Sequence, residues 1–428
     1  MPHSVAIVGS GPSGFYALDG LSRALPGVRI DLIDRLPTPF GLVRLGVAPD
    51  HQGTKAVARQ FDRLARKPGI RFVGNVEIGR DVSLAELRAL YDAVVIATGA
   101  PRDRRLGIPG EDLLGVHGSW PVVGWYNGHP DFAGLDFRLP GPAVAIIGNG
   151  NVAIDLARVL ARTPQEMKGS DLAPHAAAVI AGAGLRDIHL IGRRGPVEAS
   201  FTSAELAELG QLERVVPVIE GAEVPSASGA ADPAVAKVKD RNLEILRGFA
   251  ANVPGSKPIT LHLVFNTTPV AFEGTGALER IALRQSDGER RWSIEAQTAI
   301  TAIGYRGLRL DDAPFDEERG VFAADNGVVA PGLYAVGWAK RGPSGVIATN
   351  RPDSLAVAER IAADLRDREG DGEGPAGLDR LLESRGVAAV DFAGWLRIEQ
   401  METEAGKAQG RPRIKLATMA QLLAASRG

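Results

Sequence analysis

A chain of 428 residues is too long for one ordinary domain and long enough for two or three, each with its own core. Hydrophobic residues make up 45% and charged residues 23%, with no apolar run near the ~18 residues of a bilayer-spanning helix, so a membrane-threaded protein is excluded. The net charge of −2 gives no global pull toward nucleic acid, and the lack of cysteine excludes disulfides, thiolate metal sites, Cys-ligated clusters and dithiol relays; any redox chemistry must run on a bound organic cofactor.

Val5-Ala6-Ile7-Val8 opens the pattern as a strand, with no basic or long apolar leader before it, so the expected location is cytoplasmic. A Gly-rich turn follows, then an amphipathic helix carrying Phe15, Leu18, Leu21 and Leu25, then a second strand from Val28 to Ile33. This βαβ opening predicts a parallel sheet. Its turn, Gly9-Ser10-Gly11-Pro12-Ser13-Gly14, has the spacing of a dinucleotide fingerprint. Gly9 allows the turn, Gly11 lets a pyrophosphate approach the backbone, and Gly14 lets helix and strand pack, while Pro12 suits the first helical position. Asp34 stands 20 residues after Gly14 at the end of the next strand, where a carboxylate accepts hydrogen bonds from an adenosine ribose.

A buried strand ending in small residues is expected within Tyr91–Gly99. A near copy of the opening then begins at Ala143–Ile147, turns through Gly148-Asn149-Gly150-Asn151-Val152-Ala153, and continues into a helix with Leu156, Val159 and Leu160. Its next strand is delayed to Ile188–Gly192 and ends not in an acid but in Arg193-Arg194. Guanidinium groups there can bind a 2′-phosphate that an acid would repel, which points to NADP; the plain alternative is a solvated basic turn. Thr301–Gly304 is a second small-residue strand end, and with 91–99 it marks where the chain crosses between a discontinuous outer domain and an inserted one. The expectation is an α/β protein with two Rossmann-like dinucleotide-binding domains, an NADP domain over 105–305 inserted into an FAD domain formed by 1–104 and 306–428. Residues 222–236 and 367–377 read as loop and linker.

Longer segments add a resemblance. Leu36-Pro37-Thr38-Pro39-Phe40-Gly41-Leu42-Val43-Arg44, Gly46-Val47-Ala48-Pro49-Asp50-His51, Gly192-Arg193-Arg194-Gly195-Pro196, Gly337–Ile347 and Gly410–Leu416 are similar to segments of the adrenodoxin reductase family of ferredoxin-NADP reductases. The resemblance runs through nearly the whole chain. It implies FAD contacts at Asp34, Leu42, Ile78, Trp338, Gly345, Val346 and Ile347, and NADP contacts at Arg104, Asn149, Gly150, Asn151, Val152, Arg193, Arg194, Glu205 and Gly345. It places His51 and Asp155 near flavin and nicotinamide, in proton handling and the electron route. The sequence departs from the family at two points: Asp34 replaces the usual Glu, and Ala207 stands where mitochondrial members carry an Arg that helps dock the iron–sulfur partner.

Each residue also has a plain reading. His51 could finish a loop, and Asp155 could sit early in a helix for its dipole. Glu205, three residues after Thr202, could close a capping box. Trp338 could be ordinary core, though an aromatic before a Gly-rich turn suits a ring beside flavin. Lys237, Lys239, Arg241 and Arg247 form a basic stretch that suits an acidic partner or a solvated helix face. The implied activity is hydride exchange between NADPH and FAD followed by single-electron transfer to a ferredoxin-type iron–sulfur protein, bound transiently. The alternatives are a related NADPH-dependent flavin reductase with another acceptor and a non-catalytic NADP(H)-sensing flavoprotein.

Overall fold

The structure, a computed structural model, describes residues 2–428. Contacts divide the chain into two compact units, the first made of 1–102, 127–131 and 305–428, the second of 103–126 and 132–304.

The first unit opens with strand β1 (Ser4–Val8), helix α1 (Pro12–Ala24) and strand β2 (Arg29–Ile33), then a single turn of helix α2 (Leu42–Leu45) and strands β3 (Ile70–Val73) and β4 (Ala93–Ile96). Every residue of β1 is buried, because the sheet is covered on both faces. Val5 and Ile7 join a core cluster with Phe15, Leu32 and Val95, while Ala6 and Val8 join another with Ile33, Ile96 and Leu87. Alternation of side chains along a strand thus puts one apolar run into two cores.

In the second unit, β5 (Val116–Gly118) precedes β6 (Ala143–Ile147), α3 (Asn151–Ala161) and β7 (Asp187–Ile191). Helix α4 (Ser203–Leu209), β8 (Val215–Glu220), helix α5 (Pro233–Ala250) and β9 (Ile259–Val264) follow. An antiparallel trio, β10 (Thr267–Glu273), β11 (Arg280–Gln285) and β12 (Arg291–Glu295), leads to β13 (Thr298–Thr301). Phe272, Ile281 and Leu283 of the trio pack into one cluster with Ala143, Ala145 and Ile147, which covers one face of the parallel sheet.

The chain then completes the first unit with β14 (Val328–Ala330), β15 (Leu333–Ala335), a single turn α6 (Trp338–Arg341), and helices α7 (Asn350–Leu365), α8 (Phe392–Lys407) and α9 (Met419–Arg427). The two six-stranded sheets run β14-β15-β4-β1-β2-β3 and β5-β13-β6-β7-β9-β8. In each, the strand before the fingerprint lies between the strand after it and a parallel neighbour: Ile7 pairs Leu32 and Val95, and Ala145 pairs His189 and Ala299.

Two expectations change in detail. Helix α5 already begins at Pro233, inside the expected loop, because Asp232 caps it by accepting the Ala234 and Val235 amides. The 367–377 linker is anchored: Asp92 accepts the Asp371 amide at 3.2 Å, and a helix starts at Pro375. The C-terminal helices contribute to the core, since Trp395, Ile398, Leu422 and Ala425 share a cluster with Val5 and Phe15. No helix among the described residues is long and apolar enough to cross a membrane.

Candidate functional site

The first glycine turn is shaped by contact. Gly9 has φ +110°, and a Cβ there would stand 2.4 Å from the Ala97 carbonyl oxygen at the end of β4. A Cβ at Gly14 would stand 2.1 Å from the Gly9 carbonyl oxygen, so α1 approaches its own turn closely. At Gly11, by contrast, an added Cβ would meet no atom of the chain within 4 Å. That face of the turn is open, at the N-terminus of a 13-residue helix with Gly11 as cap and Pro12 in its first turn. Two of these glycines are dictated by packing, whereas the space at the middle one is free of chain atoms.

Asp34 is tied to the same turn. Its Oδ2 accepts the Ser10 amide at 2.9 Å and the Ser10 hydroxyl at 2.6 Å, and its Oδ1 accepts the Leu36 amide at 3.0 Å. A carboxylate has about four acceptor positions. Three are used by the chain, leaving room for one more hydrogen bond on Oδ1. The segment after Asp34 folds over the turn: the Phe40 amide donates to the Ser10 carbonyl at 2.9 Å, and a Cβ on Gly41 would come within 2.9 Å of the Gly11 Cα. Phe40 holds φ +82°, a conformation non-glycine residues seldom adopt, and Leu42 then starts α2 half-buried. Ile78 is buried among Val8 and Ile96.

Trp338 is half-buried, not core; its indole Nε1 donates to the Ser344 carbonyl at 3.1 Å, and its ring lies 6.4 Å from that of Tyr305. Gly345 and Val346 are exposed, and Ile347 begins a short 3-10 turn that runs directly into α7. The segment meets the first fingerprint through Ser13, whose hydroxyl donates to Asn350 Oδ1 at 3.3 Å. Gly9, Gly11, Pro12, Gly14, Asp34, Leu42 and the 337–347 segment therefore belong to one neighbourhood.

The second unit repeats the arrangement. A Cβ at Gly148 would stand 2.3 Å from the Ala302 carbonyl oxygen, as Gly9 does against Ala97. Gly150 is the cap of α3, with Asn151 and Val152 half-buried in its first turn. The Asn149 carbonyl accepts both the amide and the hydroxyl of Ser200 at 3.0 Å, and Asn151 Oδ1 accepts the Thr202 amide at 2.8 Å. These bonds stitch the loop of Arg193 and Arg194 to the fingerprint. Both arginines are exposed. Because the Thr202 amide goes to Asn151, only half of the capping box exists: Thr202 accepts the Glu205 amide, but the Glu205 carboxylate is not the cap. Arg104 lies half-buried, its amide donating to the Gly304 carbonyl at 2.9 Å.

His51 and Asp155 fall in different units. His51 caps a short helix over Gln52–Lys55. Asp155 is held by its own helix, its Oδ1 accepting from the fully buried Arg158 guanidinium at 2.5 Å. Burial pulls the Arg158 pKa down, and the neighbouring Glu208 opposes this. Along the basic stretch, Arg241 pairs with Glu244 at 2.5 Å and Arg247 donates to the Pro225 and Ser226 carbonyls, while Lys237 is exposed and Lys239 half-exposed beside the exposed Val235 and Val238.

Several contributors were not legible beforehand. Ser10 is an ordinary filler in the fingerprint yet carries the Asp34 bond. Thr98 Oγ1 is buried without a partner beside the first turn, and the strand-end sequence Ala97-Thr98-Gly99 was its only sign. Arg158, i+3 from Asp155, was a detectable ion-pair spacing.

Comparison with known proteins bears on both units. The sequence profile of the pyridine nucleotide-disulphide oxidoreductase family matches residues 3–237. The chain is 39% identical over 449 residues to NADPH-ferredoxin reductase FprA of Mycobacterium tuberculosis, covering 99% of this chain and 98% of that protein. It is 38% identical over 465 residues to the mitochondrial NADPH:adrenodoxin oxidoreductase of Arabidopsis thaliana, with 99% and 95% covered. The structure of Mycobacterium tuberculosis FprA in complex with NADPH superposes with a TM-score of 0.93 at 38% identity, over all of both chains.

Proposed function

Because the chain belongs to the adrenodoxin reductase-like family of NADPH-ferredoxin reductases, we propose that it is an FAD-containing enzyme that moves electrons between NADPH and a ferredoxin-type iron–sulfur protein. The observation that carries this reading is the doubled strand–turn–helix cradle, with Asp34 after the first copy and Arg193-Arg194 after the second. An acid selects free ribose hydroxyls and a guanidinium pair selects a 2′-phosphate, so the two cradles suit two different dinucleotides.

The residues fit those groups. The open face at Gly11, at a helix N-terminus, suits a pyrophosphate, and the partnerless Thr98 hydroxyl, next to the Gly9 contact, suits a further acceptor. Bound FAD and NADPH supply hydride exchange between nicotinamide and flavin and the release of electrons one at a time. The chain binds, orients and excludes water. In this reading Asp34 holds a ribose through its remaining Oδ1 position. Leu42, Ile78 and Trp338 would wall a bound flavin, and the amides of Gly345, Val346 and Ile347 would supply hydrogen-bond donors to it, stabilising negative charge that develops on reduction. Asn149, Gly150, Asn151, Val152, Arg104, Arg193, Arg194 and Glu205 hold NADP. His51 and Asp155 manage protons and approach to the flavin, the latter held in place by its pair with Arg158. The first unit is the FAD domain and the second the NADP domain.

The iron–sulfur partner is bound transiently, with the exposed Lys237 and half-exposed Lys239 of α5 suiting an acidic surface. The cytoplasm is the location that goes with this reading. The test is an absorbance spectrum of the purified protein, repeated anaerobically with NADPH and with NADH. Flavin bands bleached at far lower NADPH than NADH are expected. A colourless protein, or a flavin that neither nucleotide reduces, overturns the assignment.

A further inference from the structure

The flavin-facing segment 337–347 is soft by composition. Gly337, Gly342 and Gly345 have φ of +64°, +81° and +79°, and the only regular structure among them is the single turn α6. Such a segment does not fix its own position. We propose that Asp353 and Asn350, one turn apart on α7, are positioning residues that set the 337–347 segment against the first glycine turn. This rests on the FAD reading of the first unit.

Asp353 gathers one end. Its Oδ2 accepts the Gly337 amide at 2.7 Å, and its Oδ1 meets Lys340 Nζ at 2.6 Å and Arg341 Nε at 3.5 Å. The carboxylate is 10% exposed, so these contacts are little screened. An acid in the first turn of a helix has a plain explanation in the helix dipole, but that explanation needs no contact with Gly337. Asn350 gathers the other end. Its Oδ1 accepts from Ser13 Oγ at 3.3 Å and from Arg341 at 2.8 Å, and its Nδ2 donates to the Ile347 carbonyl at 3.2 Å. Arg341 also reaches the Ser344 carbonyl at 3.3 Å, to which Trp338 Nε1 donates as well. Both ends of the segment are therefore bonded to two side chains on a 16-residue helix, Gly337 to Asp353 and Val346 and Ile347 to Asn350, while Trp338 is tied to them through Ser344 and Arg341. Gly337 must itself be glycine, because a Cβ would stand 1.8 Å from Ser13 Oγ. Lys340 and Arg341 are thereby committed inward and do not belong to a partner-docking surface.

The test uses the full-length flavin-loaded protein with Asp353→Ala, Asp353→Asn, Asp353→Glu and, as a variant that leaves α7 untouched, Lys340→Met. Amide hydrogen exchange of residues 337–347 is read against that of β1, together with the visible circular dichroism of the bound flavin. Asp353→Ala is expected to speed exchange in 337–347 at least tenfold with β1 unchanged, to alter the flavin dichroism, and to lower kcat several-fold more than it changes KM for NADPH. Asp353→Asn keeps an acceptor for Gly337 and should fall between, Asp353→Glu should recover part of the dichroism, and Lys340→Met should speed local exchange about threefold. Unchanged local exchange in both Asp353→Asn and Lys340→Met, or equal loosening of β1, overturns the proposal. A protein without flavin would sink the FAD reading instead, while the exchange data still decide the mechanical link.

Discussion

Asp34 has work to do before any ligand arrives, because its carboxylate closes Ser10 onto the end of β2. Replacing it by Ala removes the acceptor of three hydrogen bonds, each to a charged group worth about 1.5–3 kcal/mol. FAD retention, measured by fluorescence of released flavin, should weaken, the dissociation constant rising at least tenfold; Asp34→Glu, which restores the carboxylate, should recover most of it. Arg193 and Arg194 are exposed and bear no structural contact through their side chains that the fold needs. Their joint change to Ala should leave thermal stability within about 0.5 kcal/mol while raising KM for NADPH at least tenfold and leaving that for NADH nearly unchanged. Equal effects on both nucleotides would count against the 2′-phosphate role.

Elements far apart in the chain are joined by buried charge. Arg44, in α2, forms a two-pronged pair with Glu402 of α8 at 2.8 and 2.5 Å, with Glu402 fully buried and the guanidinium 5.1 Å from the Trp395 ring. Glu402 Oε1 also accepts the Leu416 amide at 2.9 Å, so α2, α8 and the segment before α9 share one anchor. Removing one member strands the other without solvent. Glu402→Ala should cost about 3–5 kcal/mol in urea unfolding, and Arg44→Met with Glu402→Met should cost clearly less.

A second case is the histidine pair across β7 and β9. The His189 and His262 rings stack 4.5 Å apart, and His262 binds Glu220 at 2.6 Å and Asp187 at 2.9 Å. Those two carboxylates raise the His262 pKa against its burial, whereas burial and the nearby His262 charge hold His189 down to about 4. His262 therefore adds stability that is present below the unfolded value of 6.5 and lost as pH rises through its raised folded value. His189 acts oppositely: its neutral form is favoured above 6.5, and stability drains as pH falls from there toward about 4, by up to about 3 kcal/mol. His189→Asn should flatten that acid limb in urea titrations between those pH values. A limb unchanged by the substitution would show that other groups set it.

For the molecule as a whole, the proposed function predicts a charge-steered encounter. Reduction of an acidic ferredoxin should slow steeply as salt rises, while reduction of ferricyanide should not follow the same curve; Lys237→Glu with Lys239→Glu should reduce the ferredoxin rate and its salt dependence together. Both strand–turn–helix copies were legible in the sequence, since their requirements are local. A turn in which a Cβ on Gly9 would stand 2.4 Å from a carbonyl oxygen tolerates no side chain, and a strand buried on both faces must be an unbroken apolar run. The acid after one copy and the arginines after the other are local too. What the tertiary structure decided are the partners that only folding brings together: Ser13 with Asn350, 337 residues apart, Arg44 with Glu402, 358 apart, and Gly337 with Asp353, 16 apart. No period or motif marks such pairs, because a single carboxylate on a helix is equally at home in water. Only burial makes its partner obligatory.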